Sequence, residues 1–152
     1  IETPHIFVLL YAKGISWRHQ MLPKTTLTIA SVIGLIFSLA MFLAPEFVTR
    51  EQFPNSEGQA FDDLVTLRYA IASIILALFI ISYHLRDITG HAFQIHVMRG
   101  YTLAFSVVCI TNLALQLTGK ISALPPILGT GIIAVLSLLT WRRLVSGTKE
   151  EA

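Results

Sequence analysis

At 152 residues, with 54% hydrophobic residues, 13% charged residues and a mean hydropathy of +0.69, the chain carries more apolar surface than one small water-facing domain hides. The formal net charge is +2 and the basic residues are scattered rather than striped, which excludes a nucleic-acid footprint. Cys109 is the single cysteine, so the chain has no internal disulfide and no Cys-x-x-Cys pair, which counts against a membrane thiol oxidoreductase.

Residues 1–24 form an N-terminal extension. The apolar run from Ile6 to Tyr11 is broken by Lys13 and Gly14, too short to span a bilayer and without a cleavage-site pattern. Two readings stand. In one, the natural start lies at Met21, followed by Leu22, Pro23, Lys24 and the first span; in the other, the extension is an interfacial helix with Ile6, Leu9, Leu10 and Trp17 at headgroup depth.

Four uncharged apolar blocks follow, from Thr25 to Pro45, Tyr69 to Leu85, Gly100 to Gly119 and Ile121 to Trp141. Each has the roughly 17–25 residues that an α-helix needs to cross a hydrocarbon core about 30 Å thick. A soluble domain has no use for four such blocks, since a core helix is apolar along one stripe only. The chain therefore reads as an all-α polytopic membrane protein, an up-down bundle of four transmembrane helices over 25–145. The spans are expected near 25–45, 67–85, 98–118 and 123–143, with a short tail over 146–152.

Alternation of the spans puts Lys13, Arg18, Lys24, Arg86, Arg99, Arg142, Arg143 and Lys149 on one side and only Arg50, Arg68 and Lys120 on the other. Excess Lys and Arg marks the cytoplasmic side, so both termini are expected inside. The outer loop is acidic through Glu46, Glu51, Glu57, Asp62 and Asp63, and Tyr83, Tyr101 and Trp141 would form an inner aromatic belt.

Lipid tails are as apolar as leucine, so membrane helices associate through close packing and interhelical hydrogen bonds. The first span offers Ala30, Gly34 and Ser38 at four-residue spacing. The third gathers Thr102, Ser106, Cys109, Asn112 and Gln116 on one arc, and the fourth aligns Thr130, Ala134 and Ser137. Each stripe reads as an inward bundle face; burial of the first against a second copy would instead give a homo-oligomer. The turn through Thr118, Gly119 and Lys120 makes spans three and four antiparallel neighbours, and Pro125 and Pro126 open the fourth span, where a missing N–H costs little.

The candidate site lies at the outer side. Arg68 and Tyr69 begin the second span, Asn112 and Gln116 lie near the outer end of the third, and all fall within about two turns of one depth. A polar group at such depth faces the bundle and finds a partner. The expectation is an ion pair of Arg68 with Glu46 or Asp63, capped by Asn112 and Gln116; the plainer reading is an arginine that snorkels to the headgroups.

Other clusters are weaker. His84, His91 and His96 fall in the inner loop, beside Asp87 alone among acidic residues, and read as polar interfacial side chains rather than a metal box. Asp62 and Asp63 read as helix N-terminal charge. No span holds an interior histidine for haem, and neither a Ser-His-Asp arrangement nor a phosphate loop is present. No cofactor and no metal is expected. The first span lacks the acidic residue of small multidrug transporters, and the glutathione motif of the four-span eicosanoid and glutathione enzymes is not recognisable.

The run Asp62-Asp63-Leu64-Val65-Thr66-Leu67-Arg68-Tyr69, an arginine near the start of the second span after an acidic loop, resembles the DoxX-like bacterial proteins, as does the end of the first span at Ala44-Pro45-Glu46-Phe47. The resemblance implies a four-helix protein of the bacterial inner membrane and carries over no catalytic residues. The expected role is a non-enzymatic accessory protein that binds lipid, a homo-oligomeric partner or a larger membrane complex. The alternatives are a membrane enzyme or redox accessory that holds an anionic or quinone-like head group at the outer polar cluster, and a small transporter.

Overall fold

The computed structural model describes residues 4–150, with side chains from Pro23 to Gly147. The N-terminal apolar run and Trp17 therefore lie outside the residues whose side chains are described. The chain is all-helical: α1 (Pro4–Leu43), α2 (Pro45–Gln52), α3 (Gly58–Leu85), α4 (His91–Leu117) and α5 (Leu124–Glu150). Among the described residues four segments are long and apolar enough to cross a membrane: Pro23–Leu43, Gly58–Leu85, His91–Leu117 and Leu124–Gly147.

Breakers set these ends more than the apolar blocks do. Proline disfavours helical geometry in the residue before it, so α1 stops at Leu43, Ala44 leaves the helical region at φ −138° and ψ 55°, and Pro45 restarts the chain as α2. The segment expected as an outer loop thus holds a helix of its own. Gly58 takes a positive φ of 58°, and α3 begins there, about two and a half turns before the expected span. α4 likewise begins at His91, so His91 and His96 sit on a helix rather than in a loop. At its far end Gly119 adopts φ 69°, with Lys120 N–H on the Leu115 carbonyl (3.1 Å) and Gly119 N–H on Gln116 (3.0 Å). This is a Schellman closure, which turns the chain back into α5 and leaves Lys120 at the bend.

The helices pack as a row: α3 against α1, α1 against α5, and α5 along α4, while α2 lies against α1 and α3. The ring stays unclosed between α3 and α4, whose backbones barely meet. They are joined through side chains, by the Phe79–Phe105 ring pair (centroids 6.1 Å apart) and by a hydrogen bond between the Ser82 and Tyr101 hydroxyls. Tyr101 accordingly packs inside, against Phe105 at 5.5 Å, rather than standing in the aromatic belt. Trp141 and Tyr83 do stand by cations, with Arg99 and Arg86 guanidinium carbons 6.0 and 3.6 Å from their ring centres.

The small-residue ridge of the first span is buried within the chain. Ala30 and Ser38 are fully covered, Ser38 Oγ donates to the Ala72 carbonyl at 2.9 Å, and the Phe79 ring lies on the bare backbone of Gly34, where a Cβ would overlap it. The face that offered itself to a second copy is thus taken by α3. Gly129 performs the same service for Phe37, whose ring edge would stand 2.7 Å from an added Cβ. At the α3–α4 loop end, Leu27, Met98 and Leu144 form a tight cluster, and Thr26 and Thr140 share a 2.8 Å hydroxyl bond. There Lys24 Nζ meets Asp87 at 2.8 Å and Arg86 Nε approaches it at 3.5 Å.

Gly34→Val forces Phe79 off α1, and overpacking of this kind costs about 1–3 kcal/mol; Gly34→Val unfolds at lower temperature in detergent micelles than wild type, with Gly34→Ala in between. The hydrogen bond from Lys24, aided by its charge and that of Arg86, holds the Asp87 carboxyl below its ordinary range. A carboxylate so depressed stabilises the fold above its unfolded value and loses that contribution as pH falls through the folded one. The stability difference between wild type and Asp87→Asn, followed by thermal unfolding, is thus present at neutral pH and closes on the acid side of about 3.9.

Candidate functional site

α2 shapes the site. Its Thr49 is fully buried, anchors its hydroxyl on the Pro45 carbonyl (2.7 Å), and accepts the Arg68 Nε–H at 3.3 Å. The Phe53 ring, just past the end of α2, lies under the guanidinium with 5.5 Å from Cζ to its centroid. Arg68 is only 5% exposed, so it is neither snorkelling nor solvated. The expected ion pair with Glu46 or Asp63 is not formed. Among the described residues the ion pairs all run to Asp87, at the opposite end of the bundle. The reason is rotational: Asp63 precedes Arg68 by five residues, about 140° around a helix of 3.6 residues per turn. Both carboxylates face outward while Arg68 turns in.

Arg68 turns into a cavity of about 650 Å³, within the roughly 300–1,000 Å³ of small-molecule sites. Its walls come from four long helices and from the segments at the α2 end. Leu64 to Phe79 on α3 runs along it, as do Ile33 to Met41 on α1, Phe105 to Leu115 on α4 and Pro126 to Ile133 on α5. The void exists because α3 and α4 do not close; Phe79 and Phe105 form its floor. Among the described residues the polar lining groups are Gln52, Arg68, Asn112, Lys120 and Thr130, so the wall they form holds two cations and no carboxylate. Across the water-side end, Ser122 N–H donates to the Gln52 carbonyl at 2.9 Å, tying α2 to the α4–α5 turn.

Of the residues singled out from the sequence, Arg68 and Asn112 share this wall. Asn112 donates to the Val108 carbonyl of its own helix at 2.9 Å, which leaves its side-chain oxygen as an acceptor. Gln116 does not cap Arg68; its Oε1 accepts the Ala123 N–H at 3.1 Å and fixes the start of α5. Tyr69 is exposed and stacks near Phe42 (6.3 Å), and Glu46 and Asp63 lie on the outside. Thr49, Gln52, Phe53, Lys120 and Thr130 complete the site. The signal for α2 was Ala44-Pro45, a helix stop and restart inside what reads as a loop.

Chemically the wall suits binding. Arginine stays protonated and offers five donors in a fixed fork, of which Nε serves Thr49, its one hydrogen bond among the described residues. Among the described residues, no histidine, cysteine or carboxylate lines the cavity. Because Arg68 leaves no counter-ion behind, Arg68→Leu keeps or raises the unfolding temperature in detergent, unlike the loss that follows breaking a buried ion pair. Comparison with protein-family models, curated proteins and solved structures found no match for the chain.

Proposed function

We propose that this multi-pass membrane protein is a non-enzymatic accessory that holds an amphipathic ligand, with the apolar body in the cavity and an anionic head at Arg68 and Lys120. One observation carries the reading: a nearly fully buried arginine with no carboxylate partner among the described residues, set in a largely apolar cavity. A cation in such surroundings is costly unless an opposite charge arrives, and a ligand is the remaining source. Asn112 and Gln52 add a neutral donor and acceptor set beside it. The Lys and Arg asymmetry supports a cytoplasmic location for both termini, hence an outward-facing α2 end. The resemblance of 44–47 and 62–69 to DoxX-like proteins supports a bacterial inner membrane.

Dodecyl phosphate, an anionic head on a single chain, tests the site. Added to protein in neutral maltoside micelles, it raises the unfolding temperature of wild type, because ligand at a hundred times its dissociation constant adds about 2.7 kcal/mol. Arg68→Gln loses most of that rise. An equal rise in Arg68→Gln, or none in wild type, overturns the reading.

A further inference from the structure

We infer that the cavity is loaded sideways from the bilayer, through the gap between α3 and α4, and that its occupant is a membrane lipid with a phosphate-bearing anionic head. This rests on the site proposed above and adds the ligand class and its path. The packing row α3–α1–α5–α4 leaves one seam. Leu67 and Leu78 on α3 and Val108 on α4 line the cavity and are also 52%, 55% and 44% exposed. Residues that touch both the void and the outside are the lips of an opening; Leu78 and Val108 lie well inside their spans, where that opening faces hydrocarbon, and Leu67 stands beside Arg68 at its headgroup end. Helices satisfy their own backbone groups, so such an opening exposes no bare N–H or carbonyl to lipid.

The other routes are narrowed. The α1–α5 side is sealed where Phe37 lies on Gly129, the α1–α3 side where Phe79 lies on Gly34. The water-side end is strapped by the Ser122–Gln52 bond and by Phe53 beneath Arg68. Size and polarity agree with a lipid. From Leu64 to Phe79 the cavity follows α3 for about 22 Å, enough for the tail region of one leaflet, about half of a hydrocarbon core roughly 30 Å thick. The cations stand at one end, where a lipid phosphate sits, and the aromatic floor closes the other.

The test uses full-length protein in nanodiscs of mixed phosphatidylcholine and phosphatidylglycerol, extracted into mild neutral detergent and weighed by native mass spectrometry. Wild type retains one phosphatidylglycerol per chain in preference to phosphatidylcholine. Lys120→Gln, at an exposed turn where folding is not at risk, and Arg68→Gln each lower that preference about five-fold, the worth of one basic residue near an anionic lipid. Leu67→Trp and Val108→Trp slow exchange of the bound lipid with fresh nanodiscs severalfold. Equal retention of both lipids, or a preference that neither charge variant moves, overturns the lipid assignment. Unchanged exchange in both tryptophan variants overturns the sideways path. If no lipid is retained while dodecyl phosphate still binds, the inference falls and the site stands; if neither binds, both fall.

Discussion

The contact of Phe79 with the bare backbone of Gly34 governs the rest of the molecule. In lipid there is no hydrophobic gain from pressing helices together, so close approach and interhelical hydrogen bonds must hold them. Gly34 permits that approach, Ser38 bonds across it to Ala72, and α1 and α3 become one unit. The same ring then meets Phe105 on α4, making it both the bolt of one helix pair and the floor of the cavity. Below it the bundle is filled by Leu27, Met98 and Leu144; above it, α3 and α4 stand apart.

Arg68 is intelligible in that frame. A core of leucine or phenylalanine would pack more cheaply than a cation at the wall of an apolar void. The sequence instead places a hydroxyl on Nε and an aromatic face beneath the guanidinium, two partners that orient the charge without neutralising it. Cation–π contact contributes on the order of 0.5–2 kcal/mol, which is far from cancelling a buried charge. The side chain is held, its direction is fixed, and its charge remains available.

The transmembrane helices were legible because length and absence of charge suffice to define them. The inward faces were legible too, since Ala30, Gly34 and Ser38 repeat at the helical period. The partner of Arg68 was not. Thr49 lies nineteen residues away on a short polar helix, PEFVTREQ, which no apolar run announces. Acidic neighbours in sequence drew the expectation toward Glu46 and Asp63, although five residues of helix carry Asp63 to another face. Asn112 lines the same cavity as Arg68, while Gln116 serves as a helix-start acceptor one turn further on. The cavity itself was invisible, because it arises from a contact that α3 and α4 do not make, and a missing contact leaves no pattern in either strand of text.

A row of four rods with unjoined edges is mechanically a hinged screen rather than a barrel. Swinging its outer panels apart gives up few backbone neighbours: it surrenders the Phe79–Phe105 ring pair, the Ser82–Tyr101 hydroxyl bond and the packing of Leu85 on the Met98 cluster. With little backbone contact to hold it there, this seam is where the screen yields, and the thickness and lateral pressure of the surrounding bilayer become part of its spring.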